Sequence, residues 1–241
     1  MYQPRTYRHW IKDTDLVSFE VVVKETDLQI RAQRDLKAET LDLIIKHRTP
    51  LEEYIQSHPL FISSLEPVPV ERDAPDIVKN MAQATRIAGV GPMAAVAGAI
   101  AEAVGKDLLT YTPEVIVENG GDIFIKTSRT RLIGIYAGSS SLTGKLALKI
   151  APETIPLGIC TSSGTVGPSL SLGAADAAIV LSRSTALADA AATAIGNVVK
   201  GGGDIALAIE RAQTIKGVIG VVIIKCEEIG LWGDIEILNV D

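Results

Sequence analysis

From about Ile77 onward, alanine, glycine and valine dominate the chain and bulky aromatic residues are scarce. Small side chains let neighbouring backbones approach closely, so this stretch predicts helices and strands packed tightly on one another. "GPMAAVAGAIAEAVG" (91–105) reads as a helix, with Pro92 suited to its first turn and Gly105 to its C-terminal stop. Strands are expected at about 114–118, 122–126 and 131–137, and again in "AADAAIVLS" (174–182). "STALADAAATAIGNVVK" (184–200) reads as a helix capped by Ser184 or Thr185. A further helix over about 203–213 leads into terminal strands within "GVIGVVIIKCEEIGLWGDIEILNV" (217–240).

The first third reads differently. Residues 1 to about 31 suggest a hairpin or two paired strands, carried by the β-branched residues of "LVSFEVVVKETDLQI" (16–30). "DLKAETLDLIIKHRTPLEEYIQSHPLF" (35–61) has helical spacing, with Pro50 expected to start a second helix after Thr49. "EPVPVERDAPD" (66–76) is the best linker candidate, which would leave residues 1–75 as an N-terminal subregion, or else it is an ordered loop. At 241 residues one compact domain is expected. The mixture and grouping of elements predict an α+β fold, helices layered on a mostly antiparallel sheet.

Charge narrows the partners. A net charge of −6 and a pI near 5.2 disfavour nucleic acid or an anionic membrane, either of which needs a concentrated basic surface. The N-terminal "MYQPRTYRHWIKDTD" is polar and basic where an export signal would be apolar. The uncharged run Ile87–Ala101 falls short of the roughly 18 residues of a membrane span and reads as buried helix. Two cysteines, Cys160 and Cys226, with no CxxC spacing fit a reducing, cytoplasmic setting without a disulfide.

Three stretches could carry chemistry. In "VENGGDIFI" (117–125) a strand is interrupted by Gly120 and Gly121 and resumes at Asp122. The pair is either a turn or bulge needing positive φ, or a place where the backbone passes close to a ligand that Asp122 orients. "CTSSGTVGPSLSLG" (160–173) concentrates hydroxyls and glycines between apolar strands. Thr161, Ser162, Ser163, Gly164 and Thr165 form either a polar turn or a nest of N–H groups for phosphate oxygens, though not a Walker loop. Asp189, Thr193 and Asn197 recur every four residues along a helix whose other face carries Leu187, Ala191, Ala194 and Ile195. That stripe is either a solvated face or a pair of oxygens for a hard cation such as Mg²⁺. The three histidines, His9, His47 and His58, all precede residue 60, and no HExxH or CxxC supports a zinc site. Cys160 is read as a small buried packing residue, with a thiol nucleophile as the alternative.

Taken in order, "NGGDI" (119–123), "CTSSG" (160–164) and "LADAAATAI" (187–195) resemble motifs of the ApbE-like superfamily of FAD-dependent protein flavin transferases. The match extends over about 87–197, and the whole chain is most similar to that superfamily's compact, largely uncharacterised branch. The resemblance implies a T-fold-related α+β architecture, a flavin nucleotide (FAD or FMN) or other nucleotide phosphate as ligand, and Mg²⁺ held by Asp189 and Thr193 beside the pyrophosphate. The chain departs from the transferases after "TSSG", where "TVGPSLSLGAADAA" stands in place of a histidine-containing H-x-I-D-P-x-T-G segment, and near 92, where their lysine is missing. Inefficient transfer of FMN is therefore expected. Two other classes stay open: a non-flavin protein of sulfur assimilation using Cys160 or Cys226, and a binding protein without catalysis. The apolar C-terminal half suggests a homodimer.

Overall fold

The computed structural model describes Arg8 and residues 15–152, 156–165 and 172–240. Part of the expected N-terminal hairpin and residues 166–171 of the hydroxyl-rich run lie outside the described residues.

In chain order the elements are β1 (Val17–Val23), β2 (Thr26–Ala32), α1 (Lys37–Ser57), α2 (Pro59–Ser63), α3 (Asp76–Ala88), α4 (Val96–Leu108), β3 (Val115–Asn119), β4 (Asp122–Lys126), β5 (Arg131–Gly134), β6 (Leu146–Ile150), β7 (Leu157–Ser162), β8 (Ala177–Ser182), α5 (Thr185–Gly196), α6 (Ile205–Thr214), β9 (Val218–Lys225), β10 (Glu228–Gly233) and β11 (Glu236–Asn239). Eight strands form one sheet in the order β1-β2-β3-β4-β7-β8-β9-β10, and β11-β6-β5 form a second. Every adjacent pair is antiparallel.

The large sheet is the middle of three layers. On one face Val115, Val117, Phe124, Cys160, Val180, Val221 and Ile223 meet the helices in one apolar core. On the other face Ile116, Ile125, Ile159, Ile179 and Val222 meet Leu148 and Ile150 of the small sheet in a second core. Central strands covered on both faces need no alternation of apolar and polar residues, which is why β8 reads as the continuous run "AAIVLS", buried throughout. The α+β architecture, mostly antiparallel with layered helices, is as the sequence predicts.

Several helix boundaries differ from expectation, including the end of α5 at Gly196 rather than near 200. Pro50 does not open a second helix but lies within α1, whose buried residues Ile44, Leu51 and Tyr54 continue one face across it. Packing of that face offsets the missing backbone hydrogen bond. The break comes instead at His58 (φ −129°, ψ 73°), held out of the helical region by Pro59. Gly105 does not stop α4, which runs on to Leu108; there a Cβ would collide with the ring of buried Phe124, so glycine serves helix–sheet contact rather than termination. The run Ile87–Ala101 is also not one helix: α3 ends at Gly89 in the left-handed conformation, and a 3₁₀ turn at Pro92–Ala95 precedes α4. Among the described residues no single helix is long and apolar enough to cross a membrane; α3 and α4 reach that length only together, across a bend of 103°.

Candidate functional site

β3 and β4 are joined by a two-residue hairpin turn in which Asn119 pairs with Asp122 and both central residues have positive φ, 66° at Gly120 and 107° at Gly121. Such a turn matches the twist of its strands but is strained for residues with a Cβ, so the hairpin itself accounts for both glycines. The ligand reading keeps one independent support: nothing lies within 4 Å of where a Cβ on Gly121 would stand.

The turn delivers two polar side chains to the helix-covered face of the large sheet. Asn119 Nδ2 donates to the Ala97 carbonyl in the first turn of α4 (3.1 Å). Asp122, buried, accepts from the Thr161 amide of β7 (3.3 Å). Asp189 arrives from the other side: it does not point along a solvated helix face but accepts through Oδ2 from the Gly98 N–H (2.8 Å), with Ala97 N–H also bonded to it. A carboxylate beside the free N–H groups of a helix N-terminus satisfies donors that the helix cannot and complements its dipole.

The exchange is reciprocal. Glu102 of α4, buried, accepts from Ser184 Oγ (3.2 Å), Thr185 N (2.8 Å) and Ala186 N (3.1 Å) at the start of α5 through one oxygen and from Lys106 Nζ (2.6 Å) through the other. Of the two expected caps, Ser184 and Thr185, it is Ser184 that receives Leu187 N–H (3.3 Å). Each helix thus caps the other with a carboxylate from its body, and they meet closely at Gly98.

Crowding carboxylates in this space has an electrostatic consequence. Burial raises the Asp122 carboxyl above the usual carboxylate range, and the Glu118 charge adds to that; burial and the charge of Asp122 raise Asp189 well above it. The Cys160 thiol, fully buried between them, is pushed far up by burial and by both aspartates, and it donates to the Thr185 carbonyl (3.3 Å). Cys160 is therefore held as a protonated packing thiol. Cys226 is exposed in the β9–β10 turn, with its N–H bonded to Asp176 (2.6 Å).

The structure brings Asp122, Thr161 and Asp189 together, with Asn119 tied to the same end of α4. Thr193 lies one turn beyond Asp189 and is half-buried. Ser162 ends β7 close to Gly196 at the end of α5, 3.5 Å from where its Cβ would stand. Ser163, Gly164 and Thr165 bond elsewhere: Gly164 N–H to the Ala175 carbonyl (2.9 Å), Thr165 N–H to Ser163 Oγ (3.1 Å), and Thr165 Oγ1 to Asp176 (3.3 Å). Asn197 takes the Leu172 amide (2.8 Å). Glu102 and Asn119 were missed as site residues, although a carboxylate flanked by Ala, Ile and Val in the middle of α4 was a signal for the first.

A protein-family model described as AbpE bacteria matches residues 8–222. The chain belongs to this family. A UPF0280 protein of Methanocaldococcus jannaschii is 44% identical over 230 residues, covering 92% of this chain and 93% of that protein. A UPF0280 protein of Methanococcus maripaludis is 42% identical over 222 residues, covering 90% of each. In three dimensions the chain is similar to the apo form of Pseudomonas stutzeri flavinyl transferase ApbE (TM-score 0.56, 13% identity, covering 90% of this chain and 93% of that one). It is also similar to the ApbE protein of Thermotoga maritima (TM-score 0.53, 11% identity, covering 92% and 96%). At such low identity these structures establish the shared fold: this member of the AbpE bacteria family has the ApbE architecture.

Proposed function

We propose that this ApbE-family chain binds a nucleotide phosphate, of which FAD or FMN is the flavin form, together with Mg²⁺ held by Asp189 and Thr193. The observation that carries the reading is the meeting of Asp122 and Asp189 in a space where burial penalises their charges. A divalent cation offsets such a penalty, and carboxylate and hydroxyl oxygens are the donors Mg²⁺ prefers. Asp189 and Thr193, one helical turn apart on α5, offer oxygens of that kind, and water or phosphate oxygens would complete the shell. When bound, Mg²⁺ would neutralise phosphate charge and polarise the phosphoryl group.

The chain's own residues supply the rest. The first turn of α4 orients Asp189 through Gly98 N–H, and Thr161 N–H orients Asp122. Gly120, Gly121 and the Ser162 hydroxyl line the approach; Thr161 contributes its backbone N–H, since its hydroxyl lies with Ile159 and Ile179 on the other face of the sheet, and Ser163, Gly164 and Thr165 are bonded away from Asp122. Binding is favoured over efficient transfer because the segment after Gly164 has no histidine. Sulfur carriage through Cys160 gains nothing from a buried, protonated thiol. The same reading carries a single cytoplasmic domain and a homodimer as expectations, and native mass spectrometry would report both bound small molecules and subunit number.

Calorimetric titration of FAD, ADP and FMN with and without Mg²⁺ tests the proposal. Asp189→Asn keeps an acceptor for Gly98 N–H and so keeps the fold, while removing most of the Mg²⁺ dependence. Thr193→Val should do similar but smaller damage. Equal binding and equal Mg²⁺ dependence in wild type and Asp189→Asn would end the assignment.

A further inference from the structure

On the opposite face of the large sheet from Asp122, a second buried carboxylate touches the same turn. Glu118 precedes Asn119 in β3, so its side chain points away from the helices, on the side of Ile116 and Ile123. Its Oε1 accepts from the Gly121 N–H (2.8 Å), and its Oε2 accepts from Arg8 Nε (2.6 Å). Only 6% of the Arg8 side chain is exposed, yet it also reaches Asp27 Oδ1 (3.0 Å), the Asp27 carbonyl (3.1 Å) and Glu20 Oε1 (2.8 Å). Arg8 therefore cross-links the β1–β2 hairpin to the turn between β3 and β4. A cavity of about 60 Å³, lined in part by Arg8, Gln29, Arg31 and Glu118, adjoins this cluster.

We infer that Glu118 and Arg8 are positioning residues for Asp122, acting through the Gly121 amide from the far side of the sheet. A two-glycine turn has no side chain to hold its peptide planes and many accessible backbone states. The plane between Gly120 and Gly121 is fixed by a charge-assisted hydrogen bond from the Gly121 N–H to Glu118. Asp122 follows directly, so the direction of its carboxylate inherits that plane. Arg8 in turn fixes Glu118, its planar guanidinium holding carboxylates from two hairpins at once. The consequence for ligand binding rests on the nucleotide and Mg²⁺ reading above; the positioning of Asp122 can be read without it.

The experiment uses the full chain, ¹⁵N-labelled, as wild type, Glu118→Ala, Glu118→Gln, Arg8→Ala and Arg8→Lys. Two amides are followed by NMR: Gly121, bonded to Glu118, and Thr161, bonded to Asp122 on the other face. Urea midpoints monitor the fold, and Mg²⁺-dependent ADP binding is titrated in parallel. Glu118→Ala should move both amides and weaken Mg²⁺-dependent binding by about tenfold, the lower end of the effect of losing an outer partner of a metal site, since Asp122 lies beside Asp189. Glu118→Gln, which keeps an acceptor for the Gly121 N–H but loses the charge that meets Arg8, and Arg8→Ala, which removes the links of Arg8 to Glu118, Asp27 and Glu20 together, should give smaller shifts of the same pattern, and Arg8→Lys should restore part of them. A Gly121 amide that moves while Thr161 stays fixed would overturn the inference, as would wild-type ADP binding in Glu118→Ala. If wild type itself shows no Mg²⁺-dependent ADP binding but Thr161 follows Glu118, the nucleotide reading falls and the positioning of Asp122 stands.

Discussion

Gly98 is where the two mutually capped helices come closest, and placing one methyl group there tests the arrangement directly. In Gly98→Ala the new Cβ would lie 2.5 Å from the Thr185 carbonyl oxygen, 2.8 Å from Asp189 Cβ and 3.0 Å from the Thr185 carbonyl carbon. Two of these atoms are backbone and cannot swing aside. Restoring ordinary contact at about 3.5 Å requires α4 and α5 to separate by roughly 1 Å. That displacement would stretch the bonds of Asp189 to Gly98 N (2.8 Å) and of Glu102 to Thr185 N (2.8 Å) and Ala186 N (3.1 Å) to or past the useful limit. Overpacking costs about 1–3 kcal/mol and each weakened cap about 0.5–2 kcal/mol, while alanine returns up to about 1 kcal/mol of helix propensity. The net expectation is a loss of about 2–4 kcal/mol, or roughly 5–15 °C in melting temperature for a chain of this length. Urea and thermal unfolding of Gly98→Ala beside Gly203→Ala would measure it, because nothing lies within 4 Å of a Cβ at Gly203. Equal stability of the two variants would refute the claim that α4 and α5 are locked through their ends.

Acid should expose another buried carboxylate. Burial works against ionisation of Glu114, but hydrogen bonds from Ser128 and Thr127, with Arg131 beside it, hold its carboxyl down at about 2 against an ordinary 4.5. A depressed native value means stability that is full above pH 4.5 and is lost as pH falls toward 2, so Glu114→Gln should flatten the acid limb of a stability–pH curve in that window. The cysteines should differ in access: a thiol reagent is expected to modify Cys226 in the native protein and Cys160 only on unfolding, and a mapped bridge between them would contradict the structure.

The layered α+β architecture was legible because apolar runs, turn dipeptides and a capping serine act locally. Asn119-Gly120-Gly121-Asp122 announces a tight hairpin wherever it stands, and Ser184 caps α5 as its position before the apolar run implies. Pro50 and Gly105 misled for the opposite reason, since their local meaning is overridden by partners distant in sequence: the buried face of α1 in one case, the ring of Phe124 in the other. The stripe Asp189, Thr193 and Asn197 was visible as a period of four. Which way it faces depended on the first turn of α4, some ninety residues earlier, and no periodicity contains that information. Arg8 was more hidden still, 110 residues from the Glu118 it grips.

Asp189 draws the fold and the candidate site into one argument. As a cap it needs only an acceptor oxygen, and an asparagine or a serine would satisfy Gly98 N–H without the cost of burying a charge near Asp122. An ionisable carboxylate at this position is thus more than capping requires, and the excess is its capacity to carry a negative charge when a cation is near. The same comparison applied to Glu102 gives a different result: it accepts from three donors at the start of α5 and pairs with Lys106 (2.6 Å), so its charge is matched on the spot. Of the two reciprocal caps, then, one is electrostatically complete and the other is not. The incomplete one is the one beside Asp122, and the Mg²⁺ proposed for Asp189 and Thr193 would supply the missing charge.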